Sequence, residues 1–435
     1  MTDAPCILLI GTADTKADEL RFMRQCIELG GGSVIVMDVG VLGKPPFVPD
    51  IRNADVATAA GTTLDALAAL GDENQAMTTM ANGAVQVALR LHQQGQVQGV
   101  LALGGTMGTD LALDVTAALP LGLPKFIVST VAYSHLIAPE RLAPDLMMIQ
   151  WAGGLYGMNS LCRAILSQAA GAVLGASRSV MQPASSAPLV AISSLGTSAL
   201  SYVVSLKPAL EQRGYEVAVF HCTGMGGRAI ESLVRQRRFA AVLDLCLQEV
   251  GNEAHGSVVT AGADRLQGAG ALGIPQIVAP GAIDMIDVQS WKPLPAAYQG
   301  RPYHAHNRLI GSVLMTPDER CGVARVVAAK LAQATGPTAF ILPRGGVQAW
   351  DRPGQPLHDA LGLADFCDAM RVALKPHRPP VQLVELDDHI NDPAFTNAVL
   401  QVFDDWVAQG RVVPGHAPGH APGIAPGIAP GQAPG

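Results

Sequence analysis

The chain has 435 residues, 49% of them hydrophobic and only 15% charged, with a formal net charge of −7. That length exceeds one ordinary core and implies two or more domains, with part of the apolar excess in subunit interfaces. The acidic balance lacks the basic footprint of a nucleic-acid binder, and no run of about 18 apolar residues is present to span a membrane.

Residues 6–10 predict a buried parallel strand. A helix follows from Thr15 to Leu29, with Leu20, Met23 and Ile27 on one face and Gly30-Gly31-Gly32 ending it. Next come a strand at 33–39, a helix over 72–94, a strand at 99–103, a helix reaching Leu119, and a strand at 125–129 that closes the series. This alternation implies a parallel sheet covered on both faces. The small, polar stretch 176–188 reads as a linker. After it the pattern restarts: "LVAISSLGT" echoes "ILLIGT", a helix carries Leu206 and Leu210, and "YEVAVFH" echoes "SVIVMDV". The two halves read as distant copies of one α/β plan. Residues 282–316 read as irregular and polar, and helix, strand, helix, strand, helix then lead to Gln409. The proline- and glycine-rich repeat of 411–435 cannot build a core and is expected to be a disordered tail. The expected fold is therefore α/β: two Rossmann-like subdomains with mostly parallel sheets, at 1–178 and 189–410. Seven scattered cysteines without a CxxC pair, and an N-terminus without a basic-then-apolar leader, point to the cytoplasm.

Two turns could carry chemistry in the first half. Gly11-Thr12-Ala13-Asp14-Thr15-Lys16 ends the first strand and opens the first helix. Unpaired N–H groups and the helix dipole favour an anion there, and Lys16 could reach a phosphate. Asp14 could hold a phosphate-bound metal, or Asp14 or Thr15 could simply cap the helix. The Walker A pattern GxxxxGK[ST] is absent. Gly104-Gly105-Thr106-Met107-Gly108-Thr109-Asp110 also follows a strand and opens a helix, and its glycines allow close backbone approach. Together the turns suit a polyphosphate at carboxyl strand ends. Asp38 ends the second strand, where an acid could take a ribose hydroxyl, but the missing GxGxxG makes nicotinamide the weaker option.

In the second half, Gly224-Met225-Gly226-Gly227-Arg228 lies between a strand and a helix, and Arg228 suits a carboxylate or phosphate. Gly262–Arg265 and Pro280–Asp284 lie near further strand ends. His304, His306, Asn307 and Arg308 form a polar loop that binds an anionic substrate, transfers protons, or is merely structural. His304 and His306 lack a third metal ligand at any telling spacing. His221 is either a general base or a satisfied structural histidine. Ser129, Ser193 and Ser194 end strands, but no GxSxG elbow or Cys/His nucleophile pattern activates them.

Five segments in order, "GTADTKADEL", "LGGTMGT", "GMGGRAIESL", "APGAIDMID" and "HNRLIGSVLMTPDE", resemble a known family over residues 5–410. It is the uncharacterised two-domain family similar to the ATP-binding N-terminal region of the tomato mosaic virus resistance protein. The resemblance implies two Rossmann-like subdomains, bound ATP and a homodimer. The plant relative's virus-binding role is not carried over. Matched to the family's motifs, Gly11, Thr12, Asp14, Thr15 and Lys16 would hold the ATP phosphates with Gly104, Gly105, Thr106, Gly108 and Thr109. Asp14 or Asp110 would hold Mg²⁺. A small anionic metabolite would sit in the second subdomain, facing ATP across a cleft, with Arg228, His304, His306 and Arg308 as catalytic groups. The expected activity is an ATP-dependent phosphotransferase or ligase. The alternatives are a nucleotide-sensing protein without turnover, and an ATP-independent isomerase or lyase of a sugar-acid-like substrate.

Overall fold

Four aliphatic residues in a row, Ile7 to Ile10, have no room on either face of a half-exposed strand, and β1 (Cys6–Gly11) is accordingly buried on both faces inside a parallel sheet. The computed structural model describes residues 4–181, 187–196, 199, 201–375 and 381–416. The chain forms two units, divided after residue 183.

The first unit continues with α1 (Ala17–Leu29), β2 (Ser33–Asp38), α2 (Asn53–Ala59), α3 (Leu64–Ala68) and α4 (Glu73–Gln93). Then come β3 (Gly99–Gly104), α5 (Thr106–Ala118), β4 (Lys125–Ser129), β5 (Leu146–Gln150) and α6 (Ser160–Ser179). The strands are all parallel, in the order β2-β1-β3-β4-β5. Helices α1 and α6 pack together over one face, while α4 packs with α2 and α5 over the other. From β1 the chain turns outward through α1 to β2; from β3 it turns the opposite way through α5 to β4. The strand order reverses between β1 and β3, which opens a crevice at their carboxyl ends.

Two expectations change here, and one interval left unread is filled. The series does not close at 125–129, because β5 adds an edge strand with intermediate burial. Short helices α2 and α3 fill the interval between β2 and α4. Helix α6 runs to Ser179, through the start of the expected linker, because its Val173, Leu174 and Ser177 stay buried against the sheet.

The second unit has β6 (Leu189–Ser194), α7 (Ser201–Gln212), β7 (Glu216–His221), α8 (Met225–Arg235), β8 (Ala241–Cys246), α9 (Gln248–Ala254), α10 (Gly268–Ala271) and β9 (Gln276–Gly281). It goes on with β10 (Met285–Gln289), β11 (Tyr303–Ala305), β12 (Ile310–Leu314), α11 (Pro317–Leu331), β13 (Thr338–Pro343), α12 (Ala360–Leu374), β14 (Gln382–Leu386) and α13 (Pro393–Ala408). Six strands form a parallel sheet, ordered β14-β13-β9-β8-β6-β7. Strands β6, β7, β8 and β9 stand where β1, β2, β3 and β4 stand in the first unit, so the reversal recurs between β6 and β8. Residues 282–316 are not irregular: they form an antiparallel three-stranded sheet, β10-β12-β11. Its polar inner positions (Asp287, Ser312) hid the strand alternation, because they are buried in hydrogen bonds rather than in an apolar core.

The second unit also extends further than expected. Val412 is buried, the Tyr215 hydroxyl donates to the Val413 carbonyl (2.7 Å), and the His416 N–H donates to the Gly214 carbonyl (2.9 Å). Residues 411–416 therefore belong to the second unit, and 417–435, with the rest of the expected tail, lie outside the described residues.

Candidate functional site

The crevice at the β1/β3 reversal is a cavity of about 580 Å³. Both glycine–threonine turns reach it: Thr12, Asp14, Thr15 and Lys16 from the first, and Gly104, Gly105, Thr106 and Gly108 from the second. Helix α5 starts at Thr106, and its Gly105 N-cap offers no side-chain acceptor. The first N–H to bond within that helix is that of Thr109, to the Gly105 carbonyl at 2.9 Å. The N–H groups of Thr106, Met107 and Gly108 thus face the cavity end with the positive helix dipole behind them. A further part of the lining is mostly apolar, with Val39, Val41 and Leu42 after β2, Leu67 of α3 and Met77 of α4, and with Asp72 and Glu73 at the start of α4 beside them. Sequence reasoning missed this wall, since its residues come from separated segments that only the fold gathers.

The individual residues divide into those that line the cavity and those that build it. The hydroxyls of Thr12 and Thr15 are 2.7 Å apart and bond one another. Lys16 lines the cavity, but its ammonium donates to the Leu155 carbonyl (2.5 Å) and lies 4.9 Å from the centre of the Tyr156 ring. Asp14 accepts the Gly43 N–H at 3.1 Å with one oxygen, while its other oxygen is buried and has no partner among the described residues. That free carboxylate oxygen suits a hard cation such as Mg²⁺.

Gly11 does not reach the cavity: a Cβ there would lie 2.9 Å from the Leu103 side chain, so it is a packing glycine. Gly104 is required for a different reason, since its Cβ would stand 2.5 Å from the Gly108 Cα. Thr109 is buried, sharing a 2.8 Å hydrogen bond with the Ser129 hydroxyl. Asp110 is bound by Arg141, which also pairs with Asp114 at 2.7 Å on the outside of α5. It lies outside the cavity lining, so of the two expected metal ligands only Asp14 lines the cavity. Among the described residues no cluster of three or more His, Cys, Asp or Glu side chains could hold a metal unaided.

Asp38 is wholly buried and accepts from the N–H groups of Ala13 and Gly40, each at 2.9 Å. It thereby ties the β1–α1 turn to the segment after β2, a structural duty in place of the expected ribose contact. Burial holds its carboxyl above the ordinary aspartate range, despite those two donors.

In the second unit a glycine turn after β7, the counterpart of β2, is already filled. The Gly224 and Gly227 N–H groups, at the start of α8, both donate to Glu249 Oε1 (2.7 and 3.1 Å). Glu249 also accepts from Arg265 Nε at 2.8 Å, and the Arg265 guanidinium grips Asp244. All three of these charged side chains are buried. Arg228 is no more available: its two terminal nitrogens fork onto Asp264, each at 2.7 Å, and one of them also donates to the Ala261 carbonyl (2.9 Å). Arg228 in turn holds the Asp264 carboxyl below its usual range.

The expected polar loop is split. His304 stacks on the Trp350 ring with centroids 3.9 Å apart, and burial lowers its imidazole pKa. His306 and His221 line a small pocket with Trp350, whereas Arg308 is exposed and lies outside that lining. Sequence reasoning missed the pocket's buried floor of Gln248, Asp287 and Ser312, although Asp287, the last residue of "APGAIDMID", and Ser312, within "HNRLIGSVLMTPDE", fell inside motifs.

Comparison with known proteins matches both units. Residues 5–182 fit the model described as "Uncharacterised protein family (UPF0261) N-terminal domain", and residues 187–407 fit its C-terminal domain. A UPF0261 protein of Brucella melitensis biotype 1 is 56% identical, with 95% of this chain and 99% of that protein covered. One from Clostridium tetani is 34% identical, covering 90% of this chain and 96% of the relative. The ToMV resistance protein Tm-1(GCR237) of Solanum lycopersicum is 30% identical over 92% of this chain but only 56% of its own length. The chain belongs to the UPF0261 family.

Proposed function

We propose that this UPF0261 protein binds ATP with Mg²⁺ in the β1/β3 crevice of its first unit, and uses it as a phosphotransferase or ligase on a small anionic metabolite. One observation carries the reading: two glycine–threonine turns, at the ends of adjacent strands on either side of a strand-order reversal, line a single cavity. A polyphosphate there would take the free N–H groups at the start of α5 and the hydroxyls of Thr12, Thr15 and Thr106. Gly105 keeps that end open, since a Cβ at this position meets nothing nearer than the Thr130 hydroxyl at 3.9 Å. The apolar wall of Val41, Leu42, Leu67 and Met77 suits a nucleobase. Asp14 would hold Mg²⁺, with phosphate oxygens and water completing its shell. When bound, ATP supplies an activated phosphoryl or adenylyl group, and the chain's part is to orient it and balance its charge. Among the described residues no helix is long and apolar enough to cross a membrane. The free cysteines agree with a cytoplasmic protein, and exposed Leu42 and Tyr156 beside the crevice agree with a covered surface in a homodimer.

Binding without turnover is the second reading. Lys16 is the only cation that lines the cavity among the described residues, and the Leu155 carbonyl and Tyr156 ring engage it. Phosphoryl transfer ordinarily needs free cations about the transferring group. Incubation of the full chain with labelled ATP, Mg²⁺ and a panel of hydroxy and sugar acids separates the two. ADP or AMP release that depends on one acid supports the enzyme. Saturable ATP binding with no release supports the sensor. No ATP binding at all removes both.

A further inference from the structure

The second unit carries a pocket of its own, at the carboxyl ends of β6 and β7 beside the second strand-order reversal. Its floor is a buried polar set. Asp287 Oδ1 accepts from Gln248 Nε2 (2.8 Å) and the Ser312 hydroxyl (2.6 Å), and Oδ2 accepts from Asn252 Nδ2 (3.1 Å). Three donors therefore fix the Asp287 carboxyl. They also fix Gln248, because the amide nitrogen must be the atom that faces Asp287. Gln248 Oε1 is left without a partner among the described residues, although the side chain is 1% exposed and lines the pocket. A buried carbonyl oxygen without a donor is destabilising, so its retention in a pocket points to a donor supplied from outside.

The rim adds donors of the opposite kind. The Gly196 N–H points at His221 Nδ1 (3.3 Å), so that nitrogen accepts and the neutral ring carries its proton on Nε2. His306 is exposed on the other side, and Trp350 forms an apolar wall that His304 braces by stacking. The pocket's volume of about 40 Å³ admits one small polar group at its floor, and the rest of a ligand would lie at the exposed rim beside His221 and His306.

We infer that this pocket recognises the head of a 2-hydroxy acid, its hydroxyl donating to Gln248 Oε1 and its carboxylate accepting from His221 and His306. A simple alcohol would satisfy Gln248 but not the imidazoles, and a simple carboxylate would satisfy the imidazoles but leave Gln248 unpaired. The ligand's remaining carbons would lie over Trp350. This site stands in the second unit and uses no atom of the nucleotide crevice, so it goes beyond the ATP reading and can fail or survive separately.

The test is calorimetric titration of the full chain, without nucleotide, with glycerate, lactate, malate, tartrate and gluconate, against propionate and glycerol as controls. At least one hydroxy acid should bind tenfold or more tightly than both controls. Gln248→Leu should bring that acid down to the level of propionate. His306→Gln, an exposed change that leaves the core alone, should weaken the acid at least fivefold and leave glycerol unaffected. Trp350→Phe should remove ligand-induced tryptophan fluorescence change while binding persists. Gly105→Val, placed in the nucleotide crevice, should leave hydroxy-acid binding unchanged. The proposal is overturned if none of the five acids binds at 10 mM or below, if controls bind equally well, or if His306→Gln keeps full affinity.

Discussion

The two units lay out their central strands in the same order, yet their glycine-rich helix starts follow different strands and meet different partners. In the first, the turn that opens α5 leaves its N–H groups facing an open cavity. In the second, the turn that opens α8 is filled by the unit's own carboxylate, Glu249, locked in place by Arg265. A glycine-rich strand-to-helix turn therefore makes an anion site only if no internal acid reaches it. Each unit builds a glycine-rich helix start of its own, and in the second a single buried glutamate occupies it.

The largest effect should come from breaking the internal plug. Arg265→Met leaves Asp244, Glu249 and Glu231 buried without their cation, and should destabilise the second unit by about 3–5 kcal/mol, read by urea unfolding. Glu249→Ala should also destabilise it, and phosphate at tens of millimolar should restore part of the loss by entering the vacated nest. No such phosphate effect is expected in the wild-type second unit, where Glu249 holds the place.

Next in size is the first unit's open turn. Gly105→Val should cost ATP affinity at least 100-fold while changing stability by less than about 1 kcal/mol, since its side chain enters open space. The neighbouring Gly104→Ala should do the reverse in stability, because its Cβ collides with the Gly108 backbone at 2.5 Å and the turn must move. Two adjacent glycines thus separate a binding role from a packing role.

A pH effect sharpens the comparison further, because it belongs to the second unit. Asp284 is wholly buried, and burial pushes its carboxyl up to about 6; Arg320 opposes the shift and Asp351 adds to it. A carboxyl whose folded pKa is raised binds more protons when folded than when unfolded. Its contribution is therefore full below about pH 4 and is lost as pH rises through 6. Relative to Asp284→Asn, the wild type should lose stability on the order of 1–3 kcal/mol between pH 4 and 7. A flat difference across that range would contradict the buried, charged assignment.

The smallest effects concern the charged residues of the first turn and α5. Lys16→Ala should weaken ATP less than tenfold, since the lysine must first release the Leu155 carbonyl and the Tyr156 ring. Asp110→Asn should leave the Mg²⁺ dependence of ATP binding untouched, because Arg141 engages that carboxylate outside the cavity. Asp14→Asn should raise the Mg²⁺ requirement severalfold.

Much of the fold was legible because it depends on local pattern. The apolar runs 6–10, 99–103 and 125–129 can only be buried parallel strands, and the glycine turns after the first two announce their position at carboxyl ends. Strand β5 and the β10-β12-β11 sheet were not legible, since one is a partly exposed edge and the other buries polar residues in a hydrogen-bonded network. The first turn's Thr12, Asp14, Thr15 and Lys16 were legible as a group, and the structure brings them to the cavity with Gly104, Gly105, Thr106 and Gly108. What the sequence could not reveal was which charges are already spent. Arg228 reads as an anion ligand until Asp264 is seen 36 residues on, forked against it, and Asp110 reads as a metal ligand until Arg141 is placed beside it. Pairing across such separations is a property of the folded chain, and no local spacing encodes it.

The measurement that bears most directly on the central claim is calorimetric titration of Mg·ATP into the wild-type chain and the Gly105→Val variant, both shown to be folded. The account predicts one saturable site per chain in the wild type and at least a 100-fold weaker one in the variant. Equal affinity in the two proteins, or no binding to the wild type, would contradict it.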